Sequence, residues 1–150
     1  MTSTLPGSTA HPRQVPWVPA PALAAASSVV GLLVVAAYAG GVLLPYVIHD
    51  LHHLSHADLT SGAHDPKWLW PAGDSALGAL VHLAGVCAAV LGWLVTAPAA
   101  VVSAFALRSA ATRRSTRGVL LHLVVLALLV SATVLRFTPL GVALVTWSLD

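Results

Sequence analysis

Three long apolar runs organise the chain, at residues 22–48, 75–107 and 118–135. The first carries no charge, the second has His82 as its only strongly polar side chain, and the third holds His122 near its start. At about 1.5 Å per residue, each can cross roughly 30 Å of hydrocarbon. Lipid offers backbone groups no hydrogen-bond partner, so runs of this length must be helical despite their many valines. The pattern predicts an all-α integral membrane protein with three spans, at about 22–48, 76–104 and 118–136. Asp74 or Ser75 is placed to cap the second helix after the turn Pro71-Ala72-Gly73. Pro45 and Pro98 fall late in their runs and predict kinks. The second run is longer than a bilayer needs, so it must tilt, bend or protrude.

The segments between and around the spans are short. Residues 1–21 hold five prolines with Ser, Thr and Gly and read as a disordered tail. Residues 22–150 read as a single membrane domain. The stretch 137–149 is apolar, but its 13 residues are too few for a fourth span. It either extends the third helix past Pro139 or lies in the interface with Trp147. Trp17, Trp68, Trp70 and Trp93 fall near run boundaries, where indole favours the headgroup zone. A rival reading makes the first run a signal peptide cleaved at Ala37-Tyr38-Ala39, although the apolar run continues to Ile48.

Composition narrows the class further. Hydrophobic residues make up 57% of the chain, charged residues only 8%, and mean hydropathy is +0.86. Soluble domains carry about 25% charged residues. An ordinary soluble enzyme, a disordered chain and a nucleic-acid-binding domain are thereby excluded. Cys87 is the only cysteine, so no internal disulfide can form. Scarce lysine and abundant Ala, Val and Leu suggest GC-rich bacterial codons, and hence a cytoplasmic membrane.

Charge placement sets a direction. The loop 108–117 carries Arg108, Arg113, Arg114 and Arg117, while residues 49–74 carry one lysine and four aspartates. The positive-inside rule keeps the first loop in the cytoplasm, against anionic headgroups, and turns loop 49–75 outward. The N-terminus is then inside and the C-terminus outside.

Small residues recur at helical spacing. Ala36/Gly40 and Ala37/Gly41 do so in the first run, Ala84/Ala88/Gly92 and Gly85/Ala89 in the second, and Ala127/Ser131 in the third. Such positions let helices approach closely, within the chain or against other membrane subunits or a second copy.

One constellation carries possible chemistry. The outward loop opens His49-Asp50-Leu51-His52-His53-Leu54-Ser55-His56. On a helix, His53, His56 and His52 fall at about 40°, −20° and −60° from His49. Leu51 and Leu54 lie opposite. The segment therefore reads as an amphipathic extension of the first span, with pairs His49/His53 and His52/His56 spaced to share a metal. Imidazole suits Zn, Cu, Ni or Fe, haem iron included. Asp50, Asp58 or Asp65 could orient the rings or add oxygen ligands. His82, a further candidate ligand, and Arg136 fall at comparable depth near the outer face, so a polar cluster of His49, Asp50, His53, Asp74, His82 and Arg136 is geometrically allowed. The plainer readings are an interfacial helix with a solvated histidine face, a packing role for His82 and an outward-snorkelling Arg136.

No nucleotide, hydrolase, zinc-protease or CxxC pattern occurs, and no span contains a carboxylate. The leading expectation is an accessory, assembly or scaffolding subunit without catalysis of its own. The alternatives are a transition-metal-binding protein, a histidine pH switch and, last, a metal-dependent membrane enzyme.

Overall fold

The computed structural model describes residues 20–59, 61, 65, 75–108 and 115–149. Helix of one kind or another covers 89% of these, with no strand among them, so the fold is all-α. The tail, Asp74, Arg113, Arg114, Asp150 and much of the segment joining the first two spans lie outside the described residues.

The first run forms α1 (Ala20–Tyr38), a π turn (Ala39–Leu43) and α2 (Leu44–Ile48). Ala22–Ile48 is long and apolar enough to cross a membrane. The π turn accounts for Pro45. A proline ring crowds the carbonyl four residues earlier, here that of Gly41. An extra residue in the preceding turn relieves this, and the Leu44 N–H donates five residues back, to Ala39 O. Residues 37–39 sit inside this continuous helix, with Tyr38 buried.

The second run is two helices, α4 (Ala76–Leu91) and α5 (Trp93–Leu107), bent by 67°. Ser75 caps α4, its Oγ accepting from Gly78 N at 3.0 Å. The bend expected from Pro98 falls at Gly92 instead. A Cβ there would stand 2.2 Å from Ala88 O and 2.8 Å from Val34 Cγ1, so only glycine lets the chain turn against α1 at that point. The bend also absorbs the excess length. With α5 upright, it contributes about 22 Å of height and the slanted α4 about 9 Å more, close to one bilayer.

The third run is α6 (Thr116–Arg136), capped by Ser115 through Gly118 N at 3.2 Å. It too is long and apolar enough to span. The C-terminal stretch neither extends α6 nor lies apart from the bundle. It forms a separate helix, α7 (Pro139–Leu149), after a break at Phe137 and Thr138. Thr138 Oγ1 bridges the break, donating to Leu135 O (2.7 Å) and accepting from Gly141 N (3.1 Å).

Packing divides the molecule into two ends. At one, α5 lies between α1 and α6, with Ala99, Ala100, Val125 and Leu129 buried between them. Ser28 and Ser103 hydroxyls join α1 to α5 at 3.1 Å. The Thr133 hydroxyl donates to Leu129 O, so the Thr96 hydroxyl donates to Thr133 Oγ1 at 2.8 Å and joins α5 to α6. At the other end, Tyr38, Val42, Leu51, Leu59 and Ala89 pack with Ala143, Leu144 and Trp147 of α7. Outward faces are apolar: Leu33 (65% exposed), Leu80 (63%), Phe105 (67%) and Leu121 (63%) require lipid rather than water around them.

The closest helix crossing runs through Gly41 and Gly85. A Cβ on either would stand within 2.6 Å of the other's Cα. Ala37 adjoins this crossing through its carbonyl, whereas Ala36 is exposed and Gly40 faces open space. Ala89 and Gly92 are buried on the inward side of the bent pair, and Ala88 is half-buried beside them.

Candidate functional site

The histidine segment does not continue the first helix. The span ends at Ile48, with Asp50 N bonding to Val47 O at 3.1 Å. Asp50 then takes φ 55°, a left-handed conformation that aspartate tolerates better than most residues. A single 3₁₀ turn follows (Leu51–His53), closed by His53 N to Asp50 O at 3.3 Å. Leu54 is extended, and a short helix α3 (His56–Leu59) begins at Ser55. The pairs His49/His53 and His52/His56 therefore do not share a helical face. The physical reason is burial. A straight helix would carry Leu51 and Leu59 away from the protein, whereas the break lets both bury at 3% exposure in the core cluster that includes Trp147.

The break creates a different grouping. In a 3₁₀ turn, residues three apart stand nearly eclipsed, which brings Asp50 and His53 side by side. His52 lies against His53, their ring centroids 3.9 Å apart and tilted by 43°. One ligating atom from each of Asp50, His52 and His53 lies within 4.8 Å of the others, and all three residues are exposed. Two imidazoles and one carboxylate are a donor set that first-row transition metals accept.

The other expected participants stand elsewhere. His49 is exposed and outside this group. His56 opens α3. Asp58 serves that helix's start: Ser55 Oγ donates to its Oδ2 at 2.6 Å and accepts from its N–H at 3.2 Å. His82 is half-buried on α4. His122 Nδ1 donates to Gly118 O at 2.9 Å, a bond within its own helix. Arg108 and Arg117 are exposed at the end of α5 and the start of α6.

Arg136 is half-buried at the end of α6. Its Nε is buried and has no hydrogen-bond partner among the described residues. It lines a cavity of about 20 Å³ with Tyr38, Trp93, Thr96 and Ala132. Spacing does not single out Tyr38 and Thr96. The one available signal is their type, polar groups set in apolar runs.

Comparison with protein-family models, with curated proteins and with solved structures finds no match. The functional reading therefore rests on the residues themselves.

Proposed function

We propose that this chain is a small accessory membrane protein that holds a transition-metal ion at Asp50, His52 and His53. The observation that carries the reading is the convergence of their three ligating atoms within 4.8 Å on an exposed turn. Three protein donors leave at least one position of a tetrahedral shell for water or a partner's side chain. Such an open, exposed site suits uptake and hand-over better than permanent storage. Zn, Cu, Ni and Fe all suit this donor set.

The test uses detergent-purified full-length protein, dialysed against each metal and assayed by elemental analysis. About one equivalent is expected for the preferred metal. His52→Ala and His53→Ala should each weaken binding by more than about 100-fold, the upper range for losing a mere supporting hydrogen bond. Asp50→Asn tests the carboxylate while keeping a residue that tolerates the left-handed turn. Protons compete for the imidazole nitrogens, so affinity should fall on acidification and recover on return to neutral pH. No bound metal in the wild type, or equal binding in the His variants, rejects the reading.

The four arginines at 108–117 support an orientation with that loop and the N-terminus in the cytoplasm of a bacterial cell. The metal turn, at the opposite end of the spans, then faces outward. A reporter active only outside the membrane, fused after Asp150, should be active. Activity of a cytoplasm-only reporter at that position would reverse the orientation.

A further inference from the structure

Arg136 is the last residue of α6, 20 residues beyond Thr116. That places it about 30 Å along the helix, towards the end of the span. Its buried Nε has no hydrogen-bond partner among the described residues. A buried N–H donor without an acceptor is costly. The adjoining cavity, about 20 Å³, has room for one oxygen-sized atom. The chain's aspartates are at 50, 58, 65, 74 and 150, so none lies within a span. Asp50 stands exposed with His52 and His53. Ser75, which caps α4, stands about 26 Å along that helix from Gly92.

A second feature adjoins the first. A groove of about 410 Å³ runs along the outer side of α1 and the α4–α5 bend, lined by Val30, Leu33, Ala37, Cys87 and Leu91 among others. It shares Val34, Ala88 and Gly92 with the Arg136 cavity. Every lining residue is apolar or a thiol. Trp93 and Phe137 meet edge to face beside Arg136, centroids 5.8 Å apart, and indole favours the headgroup zone. An apolar channel beside a cation towards the end of a span matches an amphiphile with one acidic head.

We propose that this site binds an anionic amphiphile of the bilayer. One oxygen of its carboxylate or phosphate accepts from Arg136, and its acyl chain lies in the groove between α1 and the α4–α5 bend. Val34, Ala88 and Gly92 form the wall over which the head turns inward.

The experiment is native mass spectrometry of the full chain in detergent, titrated with oleate, dioleoylphosphatidylglycerol or dioleoylphosphatidylcholine. One acidic amphiphile should be retained about tenfold more tightly than the zwitterionic lipid, as expected for a charged hydrogen bond. Preference for oleate identifies a free carboxylate, and preference for phosphatidylglycerol identifies a phosphate. Arg136→Gln should remove this one tightly held acidic amphiphile, leaving the exchangeable anionic lipids at the 108–117 loop, and Leu121→Ala, exposed on α6 outside the groove, should keep it. Cys87 supplies a test without any variant, because it is exposed and lines the groove. The acidic amphiphile should slow its alkylation by a lipid-soluble maleimide about tenfold relative to phosphatidylcholine. Equal retention of all three lipids, or no protection of Cys87, overturns the proposal. So does a co-purifying protein whose retention needs Arg136 while no lipid preference is seen.

Discussion

Gly85→Val is expected to destabilise the helix bundle by about 1–3 kcal/mol or more, the range for forcing bulk into a filled site. A Cβ at Gly85 would stand 2.5 Å from Gly41 Cα and 2.8 Å from Gly41 C. Both are backbone atoms, so no side-chain rotation relieves the clash and α4 must move away from the π turn. Separation gains nothing from lipid, whose tails are as apolar as the side chains uncovered. Gly40→Val is the matched control, one residue from Gly41 but with nothing within 4 Å of its Cβ position. It should change stability by less than about 0.5 kcal/mol. Thermal unfolding in one detergent, monitored by circular dichroism, compares the two. Equal losses at both positions would mean that the Gly41–Gly85 crossing does not hold α4 in place.

That contrast shows where sequence reading stops. The spans were legible because length and apolarity leave lipid-exposed backbone no alternative to helix. The face of the first helix was not. Small residues at 36/40 and 37/41 are equivalent by spacing, and the π turn that begins at Ala39 changes the phase of everything after it. The bend was misplaced for a similar reason. Pro98 is the conspicuous breaker, whereas Gly92 acts through Val34 of another helix. For the histidines, a constant helical period groups four rings on one face. The chain instead turns at Asp50, because Leu51 and Leu59 have a buried place beside Trp147, at the far end of the sequence. The residue types of the candidate metal group were legible in the sequence. Their grouping as Asp50, His52 and His53 depends on that distant contact. Arg136 was conspicuous as a charge near the end of a span, but its cavity needs four helices to form.

The same contact makes Trp147→Ala the variant with the widest consequence. Trp147 is 1% exposed, meets Tyr46 edge to face at 6.2 Å, and belongs to the core that holds Leu51 and Leu59. Truncating a buried aromatic removes its contacts and leaves a cavity that closes only partly, a loss of about 3–5 kcal/mol. Leu149→Ala, on an exposed residue two positions on, should cost less than about 0.5 kcal/mol. Loss of Trp147 should also act at a distance. The core that holds Leu51 loses a large member, the 3₁₀ turn loosens, and Asp50, His52 and His53 must be ordered anew each time a metal binds. Metal affinity should therefore fall in Trp147→Ala although no ligand has changed. His52→Ala should do the converse, losing metal while keeping the unfolding temperature of the metal-free protein, because His52 is exposed. Unfolding measured without metal, beside metal titration of each variant, separates the two effects. If Trp147→Ala unfolds earlier yet binds metal as the wild type does, the turn holds its own geometry and α7 serves only to close the bundle.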